Sequence, residues 1–286
     1  MKSIPLSAHP AVVITGSTRG LGFALAREFA LRGCRVTVSG RSAQGVEITL
    51  SRLLEAAAGA LEDADVGAKE RFQGHPCDVS DPEQVRGLWE AAVERWGRVD
   101  IWINNAGVGQ SYLPVWELDQ AQARQIVETN LLGVIYGCRT AIKGMRQQGV
   151  GQIYNLEGWG SDGKRRNALT VYGTTKRAVR YFTRGLADEL EGESVRIGTL
   201  SPGMMVTDFL TAPMENMEDA EPMRRIVNIL GDPPHTVARY LVRKILSNKR
   251  NHAHFVWLTT VKILGRFLVA PFRKRDLFAD TAERRD

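Results

Sequence analysis

Thr15-Gly16-Ser17-Thr18-Arg19-Gly20-Leu21-Gly22 follows a short apolar run, Ala11–Thr15, and opens a segment of helical period, Leu21–Arg32. Glycines at these spacings let the backbone turn tightly and approach a pyrophosphate. The free N–H groups and positive dipole end of the following helix attract the anion. The spacing differs from the commonest GxGxxG dinucleotide fingerprint, and such a turn can also be purely structural, so its surroundings have to decide.

Outward from this turn the chain alternates. Val/Ile-rich runs at Arg35–Ser39, Arg71–His75, Val99–Asn104, Gly151–Leu156, Val195–Leu200 and Ala253–Leu258 are separated by helical segments at Ala43–Leu61, Pro82–Trp96, Leu118–Gln147, Val171–Leu190 and His235–Leu246. Strands alternating with helices predict an α/β fold with a doubly wound parallel sheet, Rossmann-type. No linker or internal repeat divides the 286 residues, so residues 1–286 read as one dinucleotide-binding and catalytic domain. Residues 203–234 read as a substrate lid, and residues 259–286 as a basic amphipathic C-terminal extension.

The second run, Val36-Thr37-Val38-Ser39, is followed by Gly40-Arg41-Ser42 rather than by an acid that would grip a ribose 2′-hydroxyl. Arg41, with Ser42 beside it and Arg19 in the turn, can instead meet a 2′-phosphate, which favours NADPH over NADH. A solvated surface arginine is the plainer alternative for Arg41.

Composition sets outer limits. Hydrophobic residues at 43% and charged residues at 24% describe an ordinary globular chain with no compositional sign of disorder or fibre. Cys34, Cys77 and Cys138 are odd in number and widely spaced, which suggests neither a disulfide framework nor a metal site. The opening MKSIPLSAHP lacks the apolar core of a signal peptide, so the expected location is cytoplasmic. The formal charge of +6 is uneven: residues 239–286 hold 12 Lys/Arg against 4 Asp/Glu, which leaves the preceding body slightly acidic. A basic end on a near-neutral body points to an anionic surface or ligand near that end, and not to nucleic acid.

Tyr172 and Lys176 are four residues apart within a helical segment and therefore share a face. An ammonium beside a phenol stabilises phenolate, so the pair can exchange a proton. Together with the TGSTRGLG turn, the motifs Asp78-Val79, Asn104-Asn105-Ala106-Gly107, Tyr172-Gly173-Thr174-Thr175-Lys176 and Ser201-Pro202-Gly203 ending in Thr207 resemble the short-chain dehydrogenase/reductase family over residues 10–258. The resemblance implies a seven-stranded parallel sheet, a nicotinamide cofactor and a homodimer or homotetramer. It also implies that Gly16, Ser17, Thr18, Arg19, Gly20, Leu21, Gly22, Asp78, Val79, Asn105, Ala106, Gly107, Pro202, Gly203 and Thr207 line the cofactor. In that family the tyrosine protonates the carbonyl oxygen as hydride arrives, the lysine also holds the cofactor ribose, and Asn130 would fix a helix bend and a water leading to the lysine.

One departure stands out. The family's Asn-Ile-Ser-Ser, whose second serine polarises the substrate carbonyl, is here Asn155-Leu156-Glu157-Gly158-Trp159-Gly160-Ser161-Asp162-Gly163. Matched on Asn155 the serine position is Gly158; counted back from Tyr172 it is Trp159. Either the chain binds without catalysing, as a silent NADP-binding scaffold, or another donor such as Ser161, or the substrate itself, takes over. The segment NLEGWGSDG, with IWINNAG at Ile101–Gly107 and SPGMMVTDFL at Ser201–Leu210, is similar to the chlorophyll b reductase branch of the family. That similarity implies NADPH-dependent reduction of the 7-formyl group of chlorophyll b. Reduction of another lipophilic carbonyl, such as a steroid, quinone or acyl intermediate, is the alternative.

Met204, Met205, Met214, Met217 and Met223 are interleaved with apolar residues in the expected lid and suit a bulky apolar ligand, although packing of the lid on the core would explain them equally. The stretch Phe255–Phe272 is too charged and too short to span a bilayer. As a helix with Leu258, Val261, Leu264 and Leu268 on one side, it could lie on an anionic membrane or pack in an oligomer.

Overall fold

A computed structural model describes residues 7–58, 70–211, 214, 220–273 and 275–278. Met217, the end of the expected helix toward Leu61, Lys274 and the tail beyond 278 lie outside the described residues. The first half runs β1 (Ala11–Ile14), α1 (Gly20–Ala30), β2 (Arg35–Gly40), α2 (Ala43–Ala58), β3 (Phe72–Pro76), α3 (Pro82–Trp96) and β4 (Ile101–Asn104). The second runs α4 (Gln120–Val127), a π-helical turn (Glu128–Leu132), α5 (Gly133–Gln148), β5 (Gly151–Leu156), α6 (Thr170–Glu189) and β6 (Val195–Ser201). It closes with α7 (Asp208–Thr211), α8 (Glu221–Leu230), α9 (Pro234–Leu246), β7 (Ala253–Val256) and α10 (Thr260–Val269).

The expected seven-stranded sheet is present, in the order β3-β2-β1-β4-β5-β6-β7, and every pairing is parallel. Helices cover both faces, so alternate strand residues enter two cores. Val12, Ile14, Ile101 and Ile103 pack with residues of α1, α2 and α9; Ala11, Val13, Trp102 and Ile153 pack with residues of α3, α5 and α6. The strand order reverses between β1 and β4, and the crevice that this opens at their carboxyl ends is where such sheets bind ligands.

Across the helical region expected near Leu118–Gln147, α4 and α5 are joined through the π-helical turn. The wider turn points Asn130 inward, where it is fully buried. The segment read as a lid holds α7 and α8. On α8, Met223 and Val227 are buried against Met214, with Val206 and Leu210 packed alongside.

No residue of α10 is buried. Val261, Leu264 and Leu268 are 80%, 60% and 75% exposed, and Phe272, just past the helix, is 89% exposed. The opposite side of α10 is tied down at the buried Asp232. Arg266 reaches that carboxylate at 2.7 Å, Arg275 at 3.4 Å, and Trp257 Nε1 donates to it at 2.6 Å. No helix among the described residues is long and apolar enough to cross a membrane.

Candidate active site

The glycine-rich turn is held open by hydrogen bonds on both sides. Ser17 Oγ donates to Ile14 O at 2.8 Å and accepts from Ser39 N at 2.8 Å, which stitches the turn to β2. Asn105 Nδ2 donates to Thr15 O and Gly16 O at 2.9 and 2.8 Å, while Thr15 Oγ1 accepts from the backbone N–H groups of Asn105 and Ala106 at 3.0 and 3.1 Å. The loop after β4 therefore lies on the turn after β1. Gly16 has φ +60°, and a β-carbon there would come 2.7 Å from Ala106 Cα, so conformation and space both demand glycine. Arg19 precedes the first turn of α1 without a side-chain cap, which leaves that helix end free to meet an anion.

The remaining cofactor candidates border the same crevice. Arg41 and Ser42 are exposed at the end of β2, with Ser42 Oγ accepting from Gly45 N at 3.2 Å. Asp78 follows β3, its carboxylate accepting from Ser80 N and Oγ, and Val79 is buried beside it against Gly133. Pro202 is buried, Gly203 has φ +73°, and Thr207 lies near Gly20, where a β-carbon would be 3.6 Å from Thr207 Cγ2. A cradle closed to β-carbons, an uncapped helix end and an exposed arginine after β2 fit a phosphorylated dinucleotide.

Tyr172 and Lys176 face inward from α6, and both are buried. Lys176 Nζ lies 5.8 Å from the Tyr172 ring centroid and donates to Leu156 O at 3.3 Å. A β-carbon on Gly107 would meet Asn130 Oδ1 at 3.2 Å and Lys176 Nζ at 3.9 Å, so the loop after β4, the π-helical turn and α6 converge there. Asn130 clamps that loop in both senses, accepting from Val108 N at 2.8 Å and donating to Val108 O at 2.9 Å.

The electrostatics differ from the expected phenolate-stabilising pair, because both groups lie away from water. Burial, then the nearby Tyr112, holds the Tyr172 phenol above its ordinary value. Burial brings the Lys176 ammonium down to about 8, with the Glu157 carboxylate pulling it the other way. Glu157 is itself buried, its Oε2 lying 3.1 Å from His254 Nε2 and its Oε1 3.5 Å from Arg180 Nε. Burial opposes its ionisation, but the hydrogen bond and charge of His254 and the charge of Arg180 outweigh that, so the carboxyl sits below its ordinary value. Burial thus favours the protonated phenol and, at Lys176, weakens the ammonium that Glu157 partly restores.

Ser161, expected as a substitute donor, is engaged elsewhere. Its Oγ accepts from Gly158 N at 3.0 Å and donates to Gly158 O at 2.8 Å, so its one proton closes a tight turn instead of facing the cleft. Gly158 lies against the Tyr172 hydroxyl, and a β-carbon there would overlap it.

Several wall residues had no local signal in the sequence. Gln110 is buried and its Oε1 accepts from Tyr172 N at 2.9 Å, which fixes the start of α6. Phe209 of α7 contacts the Tyr172 ring with centroids 5.8 Å apart. The Arg166 guanidinium lies over the rings of Tyr112 and Trp159.

Residues 10–218 match the short chain dehydrogenase family. The chain is 37% identical over 275 residues to the probable chlorophyll(ide) b reductase NYC1 of Arabidopsis thaliana, covering 94% of this chain and 54% of that one. Over 264 residues it is 36% identical to the chlorophyll(ide) b reductase NOL of Oryza sativa subsp. japonica, covering 89% of this chain and 73% of that one. It therefore spans about half the length of the first of these relatives. A crystal structure of actinorhodin polyketide ketoreductase with NADPH superposes with a TM-score of 0.75 at 26% identity, covering 88% of this chain and 97% of that one. Motif order, sheet order and these likenesses agree, and the chain belongs to the short-chain dehydrogenase family of oxidoreductases.

Proposed function

We propose that the chain is an NADPH-dependent reductase of a bulky apolar carbonyl, with the 7-formyl group of chlorophyll b as its substrate. The observation that carries this reading is the buried Tyr172 hydroxyl set against a residue without a side chain, Gly158, with the Phe209 ring beside it and Trp159 next in sequence to Gly158. The hydroxyl fills the space of the missing serine side chain, and the partly exposed Phe209 and Trp159 offer apolar faces to a broad, flat reactant. The names of the relatives, chlorophyll(ide) b reductases, point to the same substrate.

In this reading the turn from Gly16 to Gly22 and the end of α1 hold the pyrophosphate, Arg41 meets the 2′-phosphate, and Gly107, Asn130 and Lys176 surround the nicotinamide ribose. The bound cofactor supplies hydride. Tyr172 gives its proton to the carbonyl oxygen, and Lys176 holds a positive charge beside the resulting phenolate. Residues 203–234, with α8, act as the lid. Purified chain with NADPH and a panel of chlorophyll b, chlorophyllide b and simple ketones tests this directly, with Tyr172→Phe alongside. Unchanged turnover in that variant would sink the mechanism, and NADPH binding with no turnover of any panel member would favour the scaffold reading.

Two assembly features belong to the same reading. Ile135, Ile142, Phe182 and Leu186 line a surface groove between α5 and α6, which supports a homodimer or homotetramer; light scattering that returns a monomer overturns it. The exposed apolar side of α10 and the basic residues around it support peripheral contact with an anionic membrane.

A further inference from the structure

The segment between the Gly158–Ser161 turn and α6 carries Lys164, Arg165 and Arg166. Lys164 is spoken for, since its Nζ lies 3.2 Å from the Asp162 carboxylate. Arg166 is not. Its guanidinium carbon lies 5.2 Å from the Tyr112 ring centroid and 6.0 Å from that of Trp159. Its NH2 comes 3.6 Å from Met223 Sδ on α8, and no carboxylate among the described residues lies within ion-pair distance.

Its neighbours place it on the reaction cleft. Trp159 directly follows Gly158, which touches the Tyr172 hydroxyl. Tyr112 is two residues from Gln110, which holds Tyr172 N. Met223 belongs to the small apolar cluster of the lid segment. Arg166 thus stands half-buried between the floor of the cleft and its cover, with no carboxylate among the described residues paired to its charge and its plane held by aromatic faces. A guanidinium cannot shed its charge at any physiological pH, and aromatic faces leave its N–H fork free for a planar, bidentate acceptor. In the reading above the 2′-phosphate of the cofactor belongs to Arg41, which leaves the other reactant to bring the acceptor.

We propose that Arg166 is a substrate-specificity residue that binds a carboxylate on the carbonyl substrate, so that the favoured substrate is a flat aromatic aldehyde or ketone bearing a free acid rather than its ester; within the panel above this ranks the free acid chlorophyllide b ahead of the ester chlorophyll b. This rests on the reductase reading above, and the test separates the two.

Isothermal titration calorimetry of the NADPH-loaded chain with 6-formyl-2-naphthoate and with its methyl ester reads binding without requiring turnover. NADPH oxidation in the same mixtures reads reduction. The acid is expected to bind at least about tenfold more tightly than the ester, the factor one charge-assisted hydrogen-bonded pair supplies. Arg166→Gln should remove that preference while leaving NADPH affinity and ester affinity within about twofold, and Arg166→Lys should restore part of it, since charge returns without the planar fork. No preference for the acid in the unaltered chain, or a preference that survives in Arg166→Gln, overturns the proposal. So does an equal loss of acid and ester binding in that variant, which would make Arg166 a fastener of the lid. Preferential binding without oxidation of NADPH would leave Arg166 as an acid-binding residue and count against the reductase reading alone.

Discussion

Gly158 and Tyr172 touch: a β-carbon on Gly158 would overlap the phenolic oxygen, and would come 3.1 Å from Tyr172 Cζ and 3.2 Å from Lys176 Cγ. The family's carbonyl-polarising serine therefore cannot be restored at this position without displacing the proton donor. Gly158→Ser should lower kcat by about tenfold or more and cost roughly 1–3 kcal/mol of stability through overpacking. Steady-state kinetics and thermal unfolding check this, and a gain in kcat would show that Tyr172 has room to move.

Lys176 is expected to set the pH dependence of turnover. Burial brings its ammonium down to about 8, so the charge is present below that pH and is lost as pH rises through it. Turnover should fall on that alkaline limb. Glu157 opposes the effect of burial, so Glu157→Gln should shift the limb to lower pH. A pH profile of kcat unmoved by that substitution would remove Glu157 from the control of Lys176.

Asn130→Ala strips the partners from both Val108 N and Val108 O in a half-buried loop. Each lost hydrogen bond is worth about 1 kcal/mol, so the variant should melt below the parent and bind NADPH more weakly. Equal melting temperatures would show that the loop finds other partners.

Arg41→Ala should weaken NADPH binding by about tenfold or more through loss of a charge-assisted contact, while NADH binding changes little. Fluorescence titration with both cofactors decides it; parallel losses for the two would assign Arg41 to some task other than the 2′-phosphate.

The exposed side of α10 should carry the chain to phosphatidylglycerol vesicles at low salt, less so as salt screens the cations. Replacing Val261 and Leu268 together by serine should release it. Unaltered chain left in the supernatant after sedimentation with such vesicles would refute the membrane contact.

What could be read from sequence was local. The TGSTRGLG turn, the alternation of strands and helices, and the Tyr172/Lys176 spacing each lie within one element or one junction, where period and glycine placement report conformation directly. The walls of the cleft are not local. Glu157 meets His254 across 97 residues and Gln110 meets Tyr172 across 62, through side-chain contacts that no period encodes. Ser161 is a different case. Its hydroxyl bonds to a backbone only three residues away, a habit of serines in tight turns, so the segment Gly158–Ser161 did hold a signal that it was a turn rather than a donor.

The π-helical turn at Glu128–Leu132 makes this part of the chain sensitive to counting. A π turn spends one residue more than an α turn, and each residue in an α-helix rotates the next by about 100°. Removing any one residue between 128 and 132 would relax the bulge into regular helix and swing either Asn130 off Val108 or the buried face of α5 off the sheet. Substitutions along this stretch change single contacts, whereas a one-residue deletion changes the phase of everything after it. The length of the segment from Gln120 to Gln148 is thus held as tightly as the identity of Asn130.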